Sequence, residues 1–306
     1  MKKYALVFSG QGSERVGMFR ELLKESKKID SILELFKEQL NVDLKEAMTT
    51  KDSEVVAENN QLLLLIYHHL MSDLVVEKVG FSPTFCMGHS FGQFSALGSS
   101  KAVELIDIGG FVKKRVEIIN DPHIELKASF KSIHGLTREG VEQLIRKENL
   151  EKDVEIALHN QKEQVVCAVT KLGVNRLEVL SEKYKYMLKE VNVSRPYHTS
   201  FMEEYNQMLL PYIEEMKFSN PQVPVVTNYS KKGISEGMML KEETKIQMTK
   251  PVFWVDCVME VAKEVDFFVI IDPSDTQFKI LRRITHKKIH NVNNMGIIKM
   301  IEKRGL

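Results

Sequence analysis

The stretch Gly88-His89-Ser90-Phe91-Gly92 is the most informative in this chain, because it follows the apolar run 81–87 and precedes a predicted helix. A Gly-x-Ser-x-Gly pattern between a strand and a helix is typical of a nucleophile elbow, a sharp turn that holds the serine at the tip of a sheet. The start of the following helix then offers unpaired N–H groups and a positive dipole end to a developing oxyanion. A pattern of only five residues also occurs by chance in unrelated sequences. The rest of the chain therefore decides whether Ser90 is a nucleophile.

Composition narrows the class of protein. The 306 residues carry 43 basic and 42 acidic side chains, so no overall charge favours nucleic acid or an acidic membrane. Three unclustered cysteines in apolar surroundings, Cys86, Cys167 and Cys257, indicate buried reduced thiols and a reducing compartment. The first apolar stretch is too short for a signal peptide, and no run is long enough to span a membrane. We expect a cytoplasmic, monomeric protein that binds neither nucleic acid nor membrane.

Strands and long helices alternate in two parts of the chain. Tyr4–Phe8 is predicted to be a buried parallel strand, followed by helices over 15–40 and 54–78, the strand before Ser90, and helices near 90–100 and 103–120. After residue 196 the alternation resumes. The predicted strands there are Val223–Thr227 and Phe267–Ile271, and the predicted helices are 200–217, 240–247, 252–264, 276–285 and 294–303. This order predicts a mostly parallel sheet with helices on both faces.

The middle of the chain has a different order of elements. Predicted strands cover 125–134, 153–159, 164–170 and 187–193, and predicted helices cover 137–148 and 172–185. The order β-α-β-β-α-β is typical of a ferredoxin-like unit. We therefore predict a small subdomain at 124–196, inserted into a large α/β subdomain formed by 1–123 and 197–306.

A serine nucleophile needs a base, and the chain has nine histidines. His89 is adjacent to Ser90, so its side chain points away from the serine hydroxyl. The histidines of the apolar helix 54–78 are better explained as packed or solvated groups. His198 follows Pro196 where a predicted strand ends, in a loop at the junction of the two subdomains, and clefts form at such junctions. This position makes His198 the candidate base.

Arg115 is a candidate anion-binding residue on the predicted helix 103–120. It lies beside the apolar face of that helix, from which it could reach a cleft and bind a carboxylate through two guanidinium nitrogens. The alternative is that Lys113, Lys114 and Arg115 form one exposed, solvated turn. No Cys, His or carboxylate cluster has the spacing of a metal site, and Gly10-x-Gly12 lacks the third glycine of a dinucleotide fingerprint. Neither a metal nor a bound cofactor is expected.

Several motifs together resemble the malonyl-CoA:acyl carrier protein transacylases and the acyltransferase domains of polyketide synthases. The resemblance runs from residue 3 to beyond 285. Its motifs are Phe8-Ser9-Gly10-Gln11-Gly12-Ser13-Glu14, Gly88-His89-Ser90-Phe91-Gly92-Gln93, Arg115, Pro196-Tyr197-His198, the strand 223–228, and Gln247 followed by Pro251-Val252-x-Trp254. Six motifs in the right order are far more specific than any one. The resemblance implies an α/β fold with a hydrolase-like large subdomain, built on a mostly parallel sheet, and an inserted ferredoxin-like small subdomain.

The resemblance also implies a set of catalytic roles. Ser90 would attack an acyl thioester of coenzyme A or of a carrier protein, and His198 would take its proton and return it to the leaving thiol. The backbone carbonyl of Gln247 would orient the imidazole, with the Gln247 side chain mattering less. The backbone N–H groups of Gln11 and Phe91 would form the oxyanion hole.

Substrate and partners follow from the same resemblance. Arg115 would bind the free carboxylate of a malonyl-type group, with Asn160 as a second substrate-binding residue, and the phosphopantetheine thiol of an acyl carrier protein would accept the acyl group. The pathway implied is polyketide biosynthesis. An editing hydrolase that clears carrier proteins and a non-catalytic carrier-binding scaffold are the alternatives. Arg115 favours a carboxylated unit, because a buried guanidinium without a partner is costly.

The chain also departs from the family pattern. Ser9 replaces a proline, Gln93 replaces a glutamate, and Asp272-Pro273-Ser274 replaces Gly-Pro-Gly. These departures suggest a specialised enzyme rather than the housekeeping fatty-acid one. The side chains of Phe91 and Tyr197 are expected to border the acyl pocket. Because carrier proteins are acidic, we expect a basic docking face near the cleft, with weak candidates on one predicted helix: Lys279, Arg282 and Arg283.

Overall fold

The structure is a computed structural model that describes residues 2–25, 28–193 and 195–304. Its strands in chain order are β1 Tyr4–Phe8, β2 Phe85–Gly88, β3 Ser129–His134, β4 Val154–Gln161, β5 Gln164–Val169, β6 Met187–Glu190, β7 Val225–Val226, β8 Gly233–Ile234, β9 Phe267–Ile271 and β10 Lys288–Asn291.

The helices surround two sheets built from these strands. In chain order they are α1 Leu22–Glu25, α2 Lys28–Leu40, α3 Lys45–Thr49, α4 Ser53–Glu58, α5 Asn60–Val79, α6 Gly92–Ser99, α7 Leu105–Ile119, α8 Arg138–Lys147, α9 Lys171–Tyr184, α10 Glu203–Glu215, α11 Gly237–Ile246, α12 Trp254–Ala262, α13 Thr276–Ile284 and α14 Met295–Arg304, with a short 3₁₀ turn at Ser200–Met202. In the part of the chain that the structure describes, none of them combines the length and apolar character needed to cross a bilayer.

The larger sheet has the strand order β10-β9-β1-β2-β7-β8. All neighbours are parallel except the β7–β8 pair. Strands β1 and β9 are buried along their whole length, as expected for central strands covered on both faces. Because the carboxyl ends of parallel strands meet at one edge, the loops after β1, β2 and β9 lie together there. This edge carries the site.

The smaller sheet has the order β4-β5-β3-β6, and each neighbouring pair is antiparallel. Helices α8 and α9 pack on one face through Val141, Leu144 and Leu177, which share a core with β4 and β5. This order is that of a ferredoxin-like unit. The predicted fold class, a mostly parallel α/β sheet with a ferredoxin-like insertion, is therefore confirmed, whereas the boundaries at 124 and 196 stay a prediction.

Some predicted elements were wrong in detail. The helix predicted over 15–40 begins only at Leu22, because Gly12 and Gly17 take positive φ angles and the chain turns there. The strand predicted from residue 125 begins at Ser129. Strands β8 and β10 were missed because they are short and become strands only by pairing with β7 and β9.

Helix α6 packs directly on backbone of the large sheet at two glycines. A Cβ atom on Gly88 would lie 2.0 Å from the carbonyl carbon of Gly92. A Cβ on Gly92 would lie 2.4 Å from the carbonyl oxygen of Phe8. Backbone atoms of a buried strand, or of the helix packed on it, cannot move aside as a flexible side chain can. These glycines therefore set how closely α6 approaches the sheet.

The variant Gly92→Ala is expected to lose about 3 kcal/mol or more of the free energy of unfolding, because the added methyl group meets the Phe8 carbonyl. Gly110→Ala is the matched control on α7. Its Cβ would meet only the Leu40 side chain at 3.4 Å, an ordinary contact, so higher helix propensity should leave stability unchanged or raised by up to about 1 kcal/mol. Urea denaturation of both variants measures the difference, and equal stabilities would contradict this packing.

Candidate active site

Ser90 lies in the turn between β2 and α6, with a positive φ of 51°. This left-handed conformation is strained for a residue with a side chain and is typical of a nucleophile elbow. Asn228, just after β7, stabilises the turn. Its Oδ1 accepts the Ser90 N–H at 2.8 Å, and its Nδ2 donates to the Gly88 carbonyl at 2.7 Å. The Asn228 N–H in turn donates to Oε1 of Gln93 at 2.9 Å. Gln93, which stands where the family pattern has a glutamate, thus helps to position Asn228.

His198 lies beside Ser90 although 108 residues separate them in sequence. Its Nε2 is 2.6 Å from Ser90 Oγ, and its Nδ1 donates to the Gln247 carbonyl oxygen at 2.8 Å. Because Nδ1 carries the hydrogen, Nε2 is free to accept the serine proton. The His198 N–H also donates to the Met248 carbonyl at 2.7 Å. Ring and backbone are thus both held by the chain segment after α11.

The side chain of Gln247 contacts the elbow as well. Its Nε2 donates to the carbonyl oxygen of Ser90 at 3.1 Å. The side chain thus has a contact of its own at the elbow, and the expectation that it matters less than the main chain stays a prediction. Gln247 therefore orients His198 through its backbone carbonyl and contacts the elbow through its side-chain amide.

Burial keeps His198 neutral. It lowers the pKa of the imidazole to about 3, although the hydrogen bond to Gln247 opposes this shift. At neutral pH the ring is therefore in the form that can accept a proton. The cation Arg115 also opposes protonation of His198.

The two predicted oxyanion donors lie at the same sheet edge. Phe91 is the N-cap of α6, where helix N–H groups have no partner within the helix. Gln11 follows β1 and lines the cavity over Ser90. Their role as donors stays a prediction. The Phe91 side chain does not line the cavity, contrary to expectation, because it is buried in the core against Phe94 with ring centroids 5.7 Å apart.

Arg115 is buried, with 2% of its surface exposed, and borders the same cavity. Its Nη1 donates to Oε1 of Gln61 at 2.6 Å, and its guanidinium lies 5.0 Å from the ring centroid of Tyr197. Within residues 2–25, 28–193 and 195–304, no carboxylate pairs with it, and its Nε has no partner. The solvated-cation interpretation was therefore wrong. Burial lowers the pKa of Arg115, yet a guanidinium stays charged in proteins.

Gln61 connects these groups and was missed in the sequence. Besides accepting from Arg115, it donates through Nε2 to Oε1 of Gln11 at 3.3 Å. Its sequence signal is weak: Gln61 follows Asn59 and Asn60 at the start of α5 and directly precedes four leucines and an isoleucine. The network links the cation to the loop after β1.

The cavity over Ser90 has a volume of about 390 Å³. Its walls mix polar and apolar groups and include Gln11, Ser90, Arg115, Phe130, Leu158, Tyr197, His198 and Gln277. Asn160 is not among the lining residues. Its Oδ1 is 2.8 Å from Nε2 of His89, and His89 is one of the lining residues. Asn160 thus contacts a lining residue without lining the cavity itself, and the role of Asn160 in substrate binding stays a prediction.

Two departures from the family pattern have structural explanations. Ser9 Oγ and Ser95 Oγ hydrogen-bond to the two ring nitrogens of His68 at 3.0 and 2.9 Å, so the serine that replaces proline has a buried partner. Asp272 is fully buried, and its carboxylate accepts the N–H of Ser274 at 3.2 Å and of Phe278 at 2.9 Å. It therefore fixes the start of α13.

Similar proteins share both the sequence and the fold. The chain is 25% identical over 308 residues to the malonyl CoA-acyl carrier protein transacylase of Staphylococcus aureus strain MSSA476, covering 98% of each protein. It is 27% identical over 295 residues to the protein of the same name from Bacillus subtilis, covering 94% of this chain and 92% of the relative.

Among solved structures, the malonyl CoA-acyl carrier protein transacylase of Coxiella burnetii superposes with a TM-score of 0.89 at 23% identity, covering 99% of this chain and 98% of the other. A malonyl-transacylase solved in complex with a type II polyketide synthase acyl-carrier protein gives 0.87 at 24% identity, with 98% of each chain covered. At these identities the superpositions show a shared fold. Residues 5–303 match the acyl transferase domain family, and the chain belongs to that family.

Proposed function

We propose that this protein transfers a malonyl group from coenzyme A to the phosphopantetheine thiol of an acyl carrier protein. The observation that carries the proposal is Arg115, a buried cation in the cavity that holds the Ser90–His198 pair, with no carboxylate partner among the residues that the structure describes. Such a cation is costly unless a ligand supplies the anion. The two relatives named above are malonyl CoA-acyl carrier protein transacylases, which supports the same substrate.

The first half-reaction forms an ester on Ser90. Ser90 Oγ attacks the thioester carbonyl carbon while His198 Nε2 takes the hydroxyl proton, and the N–H groups of Phe91 and Gln11 donate to the resulting oxyanion. When the carbonyl re-forms, the C–S bond breaks. The coenzyme A thiolate leaves with the proton that His198 returns, and the malonyl ester stays on the enzyme.

The second half-reaction reverses these steps with a new thiol. His198 takes the proton of the carrier protein's thiol, and the sulfur attacks the ester carbonyl. The C–O bond to Ser90 breaks, and Ser90 regains its proton from His198. Water would give free malonate in the same way, so selection of the thiol separates a transferase from an editing hydrolase.

The carrier protein that accepts the malonyl group determines the biosynthetic pathway in which the enzyme acts. We propose a polyketide carrier protein, because one structural neighbour was solved with such a partner. Exposed cations on α13 (Lys279, Arg282 and Arg283) could attract an acidic carrier, although Arg283 also donates to Gln161 Oε1 at 3.2 Å. The start of α13 borders the cavity at Gln277, so these cations lie along the helix that leads away from it.

A transfer assay tests the proposal. The protein is incubated with malonyl-CoA and either a polyketide or a fatty-acid holo-carrier protein, and malonyl-carrier and free malonate are measured. We expect transfer to exceed hydrolysis by at least about tenfold and the polyketide carrier to have the higher kcat/KM. Release of malonate without loading of a carrier would establish the hydrolase instead, and a preference for the fatty-acid carrier would replace the pathway proposal.

The rate of Ser90 acylation should depend weakly on pH between 7 and 5.5. A histidine with the ordinary pKa of about 6.5 would lose roughly eightfold of its neutral form over this range. Because burial lowers the pKa of His198 to about 3, its base form persists, and we expect a change of less than about twofold. Single-turnover acylation with malonyl-CoA measures this. An apparent pKa near 6.5 in the rate would contradict it.

A further inference from the structure

Gln277 is a buried amide among the residues that line the cavity. Its side chain is 7% exposed and lines the same cavity as Ser90. In the part of the chain that the structure describes, nothing pairs with its Oε1 atom. Buried carbonyl oxygens in native proteins are almost always hydrogen-bonded. Because Gln277 lines the substrate cavity, a turn of its carboxamide toward the cavity would offer this acceptor to a donor on the substrate.

The scaffold holds Gln277 in place. It is the second residue of α13, whose start is fixed by the buried carboxylate of Asp272 through the N–H groups of Ser274 and Phe278. Strand β9, which leads into this loop, is the parallel neighbour of β1, which leads to Gln11. Gln277 and Gln11 therefore reach the cavity from adjacent loops at one sheet edge. A side chain on such a fixed helix start is suited to precise recognition.

The cavity has more room than the acyl group needs. Its volume of about 390 Å³ corresponds to roughly a dozen water-sized groups, and a malonyl group fills about half of that. If Arg115 holds the carboxylate and Ser90 attacks the carbonyl, the rest of the cavity is left for the arm attached to the sulfur. Coenzyme A and carrier proteins present the same pantetheine arm, in which two amide groups interrupt an otherwise apolar chain.

We propose that Gln277 binds the pantetheine arm by accepting a hydrogen bond from one of its amide N–H groups. A side-chain carboxamide oxygen has two lone pairs and is a natural acceptor for such a donor. The proposal rests on the proposed function, because it takes the thioester arm as the ligand. Since both substrates carry this arm, Gln277 serves both half-reactions.

The variant Gln277→Met tests this, because it keeps the length of the side chain and removes the acceptor. We expect KM for malonyl-CoA and for the holo-carrier protein to rise by about threefold to tenfold, the effect of one neutral hydrogen bond, with kcat nearly unchanged. The acylation kinetics with S-ethyl malonyl thioester, which has no amide, should match those of the wild type. Gln277→Asn, which draws the carboxamide back by one methylene group, should give an intermediate KM.

Gln143→Met, an exposed glutamine of α8, is the matched control and should behave as the wild type with all three substrates. An unchanged KM for malonyl-CoA in Gln277→Met, or an equal loss with the S-ethyl thioester, would overturn the proposal. A wild-type protein that forms no malonyl ester would instead overturn the proposed function, before any Gln277 variant is compared. The two failures are therefore distinguishable.

Discussion

The variant Ser90→Ala is expected to form no malonyl ester and to lose transfer activity by at least about 10³-fold. Its hydroxyl is the group that His198 Nε2 contacts at 2.6 Å, and the elbow aims it into the cavity. Without Oγ, no other group at this position can carry the acyl chain between the two thiols. Intact-protein mass after incubation with malonyl-CoA measures the loss.

The elbow itself should survive the substitution. The hydrogen bonds that hold it use the Ser90 backbone and the Asn228 side chain, so the thermal unfolding of Ser90→Ala should match that of the wild type. Ser31→Ala, at an exposed position of α2, is the control serine and should form the adduct normally. A full malonyl adduct on Ser90→Ala would show that another residue is the nucleophile.

The variant Arg115→Gln is expected to lower kcat/KM for malonyl-CoA by about 10²- to 10³-fold and to leave acetyl-CoA unchanged or improved. The guanidinium is buried and without a carboxylate partner among the described residues, so the malonyl carboxylate would be its counter-ion. Removing one member of a buried charge pair typically costs about 2–5 kcal/mol, which is the basis of this range. An acetyl group carries no carboxylate, so the reaction with acetyl-CoA does not depend on this ion pair.

The comparison of two acyl groups on one variant separates recognition from folding. Glutamine can still hydrogen-bond to Gln61, which limits disruption of the network. Lys114→Gln removes one positive charge from the exposed side of the same helix and should change neither rate. An equal loss with malonyl-CoA and acetyl-CoA would indicate a structural defect and remove Arg115 from substrate recognition.

The architecture could be predicted because the hydrophobic patterns and the order of strands and helices along the chain indicate it. The strands Tyr4–Phe8 and Phe267–Ile271 are continuous apolar runs, which is what burial on both sheet faces demands. The order of elements between 124 and 196 is that of a ferredoxin-like unit. In contrast, β10 carries the polar sequence Lys-Ile-His-Asn. Only its pairing with β9 makes it a strand, and pairing is not a local property.

The site was predictable where a residue's chemistry is rare and its position is set by a turn. Ser90 directly follows β2, and the ends of parallel strands converge at one edge of a sheet. His198 lies in the loop between β6 and the turn at Ser200–Met202, and its place at the junction of the two predicted subdomains made it a candidate. Arg115 was ambiguous because an amphipathic helix places cations at the border of its buried face, and tertiary packing decides which way they point. Gln61, Asn228 and Gln277 were missed because glutamine and asparagine are usually exposed, so nothing local marks a buried one.

The most direct test of the central claim, a Ser90 ester selected by Arg115, is competition between two thioesters on the wild-type protein. Equimolar malonyl-CoA and acetyl-CoA are mixed with it, the reaction is quenched within one turnover, and intact mass and peptide mapping identify the adduct. We predict one malonyl group on the peptide that contains Ser90. A predominantly acetylated protein, or a malonyl group on any other peptide, would contradict the account.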